Sequence, residues 1–279
     1  MRLWVLLFSL FITPIFAWNS VGHRIIAQIA YDQLTKTARA QVDELTKVMF
    51  HSRYADDRFG RAATWPDRIK SQTSAYNSWH YIDLPVIQNN QKPPALDEKN
   101  VVWAIQHAEK VLKDPKENST HRAKSLSFLI HFAGDITQPL HCATLVDHQF
   151  PQGDEGGNLY TIHSPIADNL HQFWDRGAGL LMSVQHHYQF HYWQIQRLAR
   201  EWMQDYPAAF FGSRMQTTSV ETWAQQSHHI AATFAYTVPL NGTPSSTYIQ
   251  QAQSLVKEQI VLAGDRLAII LNQIYGNQS

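Results

Sequence analysis

The chain has 279 residues, 44% of them hydrophobic and 12% aromatic, with 23 Lys+Arg against 23 Asp+Glu. That length fits one large domain or two small ones with a buried core, and the composition excludes a disordered or low-complexity chain. Zero formal charge argues against a basic nucleic-acid clamp. A single Cys excludes a disulfide framework or a thiolate zinc cluster, so any transition-metal chemistry must run on the 15 histidines and on carboxylates.

Met1-Arg2-Leu3 gives a short positive start, and the stretch from Trp4 to Phe16 is apolar except for Ser9, Thr13 and Pro14. This run falls short of the ~20 residues that cross a bilayer, and Ala17 is a small residue at a cleavage position. Residues 1–17 therefore read as a secretory signal peptide. The mature domain spans 18–279 and begins at Trp18. It is expected in a periplasm or the medium, with no membrane insertion after cleavage. Lone Cys142 forms no disulfide within the chain.

Helical periodicity dominates the rest. Val21, Ile25, Ile29 and Ala30 share one stripe of a first helix with Ser20 as N-cap, and Thr37 caps a second carrying Val42, Leu45 and Met49. Further helices are predicted near 100–113, 121–138, 166–175, 184–205, 217–236 and 245–273. Pro139 stops the fourth helix. Residues 84–97 and 147–158 read as loops, the second rich in Gly, Pro and charge. No repeat, hairpin signal or long linker interrupts the pattern, so the expected fold class is all-α in a single domain.

Two pairs built on the same spacing stand out. His131 and Asp135 lie four apart in SFLIHFAGDITQPLH, as do His171 and Asp175 in NLHQFWD. On a helix such residues share a face, and an imidazole with a carboxylate there can hold one ion or serve two. Their apolar neighbours would bury them, and a buried carboxylate demands a partner. His141 follows Pro139 closely enough to return to the same pocket. Asp67 in ATWPDRIK, His80 in SWHYIDLP and His23 in the first helix complete five His and three Asp, enough for two or three N/O sites of zinc type. The other ten histidines, His186-His187 and His228-His229 among them, show no such pattern and are expected at the surface or in the core.

These motifs resemble the three-zinc nuclease/3′-nucleotidase family of fungal single-strand-specific nucleases and plant bifunctional nucleases, over residues 18 to about 271. The match comprises WNSVGH after the cleavage point, WPD, WHYID, HFAGDITQPLH, the glycines and Asn158 of GGN, NLHQFWD and AGDRLA. The resemblance implies the helical fold shared with zinc-dependent phospholipase C, and three Zn2+ as cofactors. It assigns Asp67, His80, His131 and Asp135 to a first zinc and His141, His171 and Asp175 to a second. The third would take the Trp18 amine and carbonyl with His23 and Asp135. Asp67 would also act in catalysis by orienting water and taking its proton, and Lys70 would stabilise the transition state. Tyr81, Asp83 and Asn158 would form the nucleobase pocket. Implied substrates are RNA, single-stranded DNA and 3′-nucleotides, cut to 5′-phosphorylated products by a monomer without a protein partner.

The departures are mild. The family ring is often Phe where Tyr81 stands, and the disulfides of the fungal members are missing. The rival is a zinc-dependent phospholipase C, whose first His stands farther from its terminal Trp and whose last ligand pair ends in Glu. WNSVGH and NLHQFWD favour the nuclease. A secreted zinc-sequestering protein would use the same ligands but leave Lys70 and Asp83 without purpose. Sequons at Asn118, Asn241 and Asn277 are expected to stay unglycosylated, since the lack of disulfides suits a bacterial exported protein.

Overall fold

A computed structural model describes residues 18–182 and 192–276. The predicted leader, His186-His187 and the Asn277 sequon lie outside the described residues. Helix α1 runs Ser20–Asp32, and the Asn19 side chain accepts hydrogen bonds from the Val21 and Gly22 amides at 3.1 and 3.3 Å. Ser20, the expected cap, is therefore the first helical residue. In the same way Thr35, not Thr37, caps α2 (Lys36–Met49) by accepting from the Ala38 amide at 3.2 Å. Thr35 holds the cap because the turn closing α1 leaves it extended, with Lys36 already helical.

Four helices were not anticipated, two of them the short segments Ala208–Phe211 and Ser213–Gln216 late in the chain. The first, α3 (Ala55–Ala63), buries Phe59, Ala62 and Ala63 but carries charges and Gly60 that dilute its apolar stripe. It is followed at once by α4 (Trp65–Ile69), with Pro66 in its first turn, where the missing N–H costs nothing. Next come α5 (Val101–Lys113) and α6 (Ser119–Asp135), and Asn118 caps α6 by accepting from the His121 amide at 2.9 Å. From Ser125 to Asp135 every residue of α6 is buried, because α1, α2, α3 and α5 cover it from different sides. This central helix ends three residues before the expected 138, and a 3-10 turn at Pro139–Cys142 follows.

The second expected loop holds, but the first does not. Within 84–97, strand β1 (Pro85–Ile87) pairs in parallel with β2 (Thr144–Val146), Pro85 opposite Thr144. Such short pairing, made only through a distant partner, leaves no periodic signal. It fastens residues 81–84 beside 141–144. Helix α7 (Leu170–Asp175) begins later than the expected 166, because Asn169 caps it by accepting from the Gln172 amide at 2.8 Å. The chain continues through α8 (Tyr192–Asp205), α9 (Ala208–Phe211), α10 (Ser213–Gln216), α11 (Val220–Thr233) and the long α12 (Ser246–Gly276). A Cβ on Gly264 of α12 would sit 2.4 Å from the Ile29 side chain and 3.1 Å from the Ile26 carbonyl, so glycine there lets α12 press against α1. No described helix is long and apolar enough to cross a membrane. The expected mainly helical fold class is observed.

Candidate metal centre

Six separate pieces of chain deliver the eight expected side-chain ligands. His23 comes from α1, Asp67 from α4, His80 from the 3-10 turn Asn77–His80, and His131 and Asp135 from α6. His141 comes from the turn after Pro139, and His171 with Asp175 from α7. Among the described residues they make three groups with ligand atoms within 4.8 Å of one another: His23, His131 and Asp135; Asp67, His80 and His131; His141, His171 and Asp175. Asp135 faces two of them with different oxygens. Its Oδ2 lies 2.8 Å from His80 Nδ1 and 3.2 Å from His131 Nε2, while Oδ1 lies 3.2 Å from His23 Nε2.

The tautomers are set by the fold. His131 Nδ1 donates to the Ala63 carbonyl, His141 Nδ1 to the His80 carbonyl and His171 Nδ1 to the Gly156 carbonyl, each at 2.7 Å. A carbonyl accepts only, so each ring must carry its proton on Nδ1 and turn the Nε2 lone pair toward the centre. This backbone fixing of the outer nitrogen is the usual companion of imidazole ligation. His23 stacks on His131, ring centres 4.0 Å apart, and is seated against Gly134, where a Cβ would come within 2.9 Å of its Nδ1.

Several buried atoms of these residues have no aligned hydrogen bond: both His23 nitrogens, His80 Nε2, Asp135 Oδ1 and His141 Nε2. Leaving such atoms unsatisfied costs about 1–3 kcal/mol each, and a divalent cation answers that demand with a donor set of N and O that suits zinc. The electrostatics agree. Burial pushes His23 and His141 down, and burial with the Lys70 charge lowers His80 to about 3, which keeps these rings neutral. Burial also disfavours charged His131, but Asp135 and Asp67 outweigh it and hold that ring up to about 10. A proton on His131 and a bound cation are thus competing answers to the same pair of carboxylates. Asp175 is pushed up by burial despite its bond from Gln138.

The remaining expected residues surround this centre. Trp18 is fully buried, its indole N–H directed at Thr137 Oγ1 at 3.4 Å. The next amide, of Asn19, donates to the Asp175 carbonyl at 3.0 Å, and the Asn19 carbonyl accepts from the His23 amide at 3.2 Å. The backbone just before α1 is therefore pinned between two ligand-bearing helices. Lys70 Nζ lies 2.9 Å from Asp67 Oδ1. Tyr81 and Asp83 are half-buried on the segment held by β1, both within the field of Glu155 in the glycine-rich loop and Asp83 also within that of Asp154. Asn158 belongs to that loop but donates its side-chain N–H to the Glu155 carbonyl at 2.8 Å. Of the other histidines, half-buried His228 bonds the Cys142 carbonyl and His121 pairs with Glu117.

Sequence reasoning missed the supports. Gln138 donates to Asp175 Oδ1 at 2.7 Å and accepts from the Leu140 amide at 2.6 Å, so it aims one ligand while shaping the turn that carries His141. Its place between two ligands in DITQPLH was the available signal. Buried Asp154 accepts from the Leu145 amide at 2.8 Å and the Tyr236 hydroxyl at 3.0 Å, tying the glycine-rich loop to β2. Gly156, with φ of +62°, brings its carbonyl to His171 where any Cβ would lie 2.4 Å from the Leu140 carbonyl.

Asp83 yields a pH-dependent prediction. Burial, then the charges of Asp154, Asp97 and Glu155, push its carboxyl up to about 6. An unfolded Asp titrates near ~4, so folding disfavours only the ionised form, with no cost below that pH and the full cost above about 6. Asp83→Asn is therefore expected to stabilise the protein at pH 8 by about 1–2 kcal/mol after allowance for solvent screening, and not at pH 4. Thermal unfolding at the two pH values measures this, and an equal shift at both would contradict it.

The S1/P1 nuclease family profile matches residues 18–276. The chain is 27% identical to Endonuclease 4 of Arabidopsis thaliana, an alignment covering 98% of this chain and 94% of the plant protein. It is 24% identical to Nuclease P1 of Penicillium citrinum, over 94% of this chain and 99% of the fungal one. Identity to Nuclease S1 of Aspergillus oryzae is 26% over 57% of this chain and 54% of that protein. A family match over nearly the whole chain, enclosing a buried imidazole and carboxylate centre, makes this protein a member of the S1/P1 nuclease family, zinc-dependent hydrolases of nucleic-acid phosphodiester bonds.

Proposed function

We propose that the chain cuts RNA and single-stranded DNA to 5′-phosphorylated products and also removes the phosphate of 3′-nucleotides. Three Zn2+ ions serve it. Asp67, His80, His131 and Asp135 hold the first, His141, His171 and Asp175 the second, and the Trp18 amine and carbonyl with His23 and Asp135 the third. The observation that carries this reading is the set of three rings whose outer nitrogens are committed to backbone carbonyls, leaving Nε2 directed inward. Zinc supplies Lewis-acid charge at the phosphate and lowers the pKa of water toward ~7.

The chain's own groups do the rest. The Asp67 carboxylate, kept ionised by His131 and Lys70 against its burial, orients the attacking water and accepts its proton. Lys70 adds charge where the phosphoryl group turns more negative. Tyr81 stacks an unpaired base while Asp83 and Asn158 meet its edge, which requires Asn158 to release the Glu155 carbonyl. A duplex must unstack and unpair a base first, at a few kcal/mol. We also propose export after removal of residues 1–17, and action as a monomer.

A substrate panel tests the reading. Initial rates should be at least about tenfold higher on single-stranded than on matched double-stranded DNA. RNA and 3′-AMP should be hydrolysed and phosphatidylcholine left intact. Equal rates on both DNA forms would refute stacking on Tyr81, and cleavage of phosphatidylcholine alone would move the protein to the phospholipase reading.

A further inference from the structure

Asp57 gathers arginines from two helices. Arg24 Nη1 of α1 lies 3.5 Å from its Oδ1, and Arg61 Nε of α3 lies 2.8 Å from its Oδ2. Arg68 of α4 is a third member, since Arg61 and Arg68 both act electrostatically on Arg24, and Arg61 acts on Arg68. Two guanidinium groups thus share one carboxylate, with a third in their field, in a protein of zero formal charge. One acceptor cannot satisfy so many N–H donors. Arg61 and Arg68 are exposed and Arg24 is half-buried, which leaves donors turned to solvent.

Their place in the fold gives the excess a direction. Arg24 directly follows His23, and Arg68 directly follows Asp67. Neighbours on a helix point about 100° apart, so where the ligand turns into the centre the arginine beside it turns to the flank. The far side of the patch is aromatic. Asp56, next to Asp57, accepts from the Tyr192 hydroxyl. Tyr192 stacks on Tyr54 with ring centres 5.1 Å apart, and neighbouring Trp193 is 63% exposed.

We infer that Arg24, Arg61 and Arg68 form a track for the sugar-phosphate backbone of a single-stranded polynucleotide, holding the strand beyond the bond that is cut. Guanidinium offers phosphate a bidentate, permanently charged partner, and Asp57 holds two of the three in place. Arginines leading to exposed rings are the pattern by which proteins follow an unpaired strand without reading its sequence. The inference rests on the proposed hydrolysis and adds where the remainder of the substrate lies.

The test uses zinc-loaded protein and a fluorescein-labelled, phosphorothioate-linked DNA strand of ten nucleotides, with binding followed by anisotropy over a range of salt. The double variant Arg61→Ala/Arg68→Ala changes exposed side chains and spares Arg24, which lies against the core. It should bind about tenfold more weakly at low salt. Its slope of log Kd against log salt should fall by about 1.4, two contacts at ~0.7 each on a single strand. Arg61→Lys/Arg68→Lys should retain most of the slope. An unchanged Kd and slope in the alanine variant would overturn the track, and so would an equal loss of binding to a dinucleotide. Cleavage of an ordinary strand, assayed in parallel, separates the two readings: failure of the wild type to cut rejects the hydrolysis, while anisotropy still decides whether the arginines hold the strand.

Discussion

Asp135→Asn is expected to lower phosphodiester hydrolysis by roughly a thousandfold or more and to remove two of the three proposed zinc ions. The reason is geometric. One carboxylate serves two groups through separate oxygens, Oδ2 toward His80 and His131 and Oδ1 toward His23. Asparagine keeps the shape but replaces one oxygen with an NH2 that cannot ligate a cation, and it removes the negative charge from both groups. It also takes away the leading electrostatic support that keeps His131 protonatable at neutral pH. Metal analysis and initial rates on RNA measure the two effects together. A variant that keeps three zinc ions and activity within tenfold of wild type would contradict the shared role. Gln138→Ala, which only loosens the aim of Asp175, should cost less, about 10–100-fold.

The second large effect is expected at Trp18, the proposed mature N-terminus. A single Gly placed before Trp18 turns the amine into an amide, which is a poor metal ligand. Zinc should fall from three ions to two and activity by on the order of a hundredfold. The backbone geometry supports this sensitivity, because Asn19 is bonded on one side to Asp175 and on the other to His23. Little slack remains for an added residue. Trp18→Phe in a chain with the same start keeps the amine and carbonyl and should keep all three ions, while losing the Thr137 contact and some packing of a fully buried ring. Full metal content and activity in the Gly-extended protein would defeat the assignment of Trp18.

Much of the scaffold could be read from periodicity. The stripes of α1, α5, α6, α11 and α12 are long and apolar enough to be visible in one sequence, with ends misplaced by up to three residues. The errors have local causes. At α1 two neighbouring side chains were able to cap, and the backbone chose Asn19 over Ser20. Helix α3 was missed because its burial depends on α1, α2 and α6 closing over Phe59 and two alanines, a tertiary effect that a charged nonapeptide does not advertise. The parallel pairing of β1 with β2 joins segments far apart in sequence and was invisible for the same reason.

The site divides along a similar line. The i, i+4 pairs on α6 and α7 fix their own geometry, so His131 with Asp135 and His171 with Asp175 could be placed from spacing alone. That His23, Asp67, His80 and His141 join them depends on packing between elements, so the residues alone named them as candidates and the family resemblance supplied their grouping. The supports lay beyond both routes. The Ala63, His80 and Gly156 carbonyls that fix three tautomers are backbone atoms, which no side-chain pattern encodes. The requirement for glycine at 134 appears only when His23 is seen against it. The zero net charge read first from the composition also hides a local feature, since Arg24 and Arg68 directly follow the ligand residues His23 and Asp67.

The most direct test of the account is the zinc content of the chain beginning at Trp18, purified without chelator and assayed on RNA in the same preparation. Three zinc ions per molecule, with hydrolysis lost on their removal and restored by zinc alone, are expected from the three imidazole and carboxylate groups. Full hydrolysis with one zinc ion or none, or three ions with no hydrolysis of any nucleic acid, would contradict it.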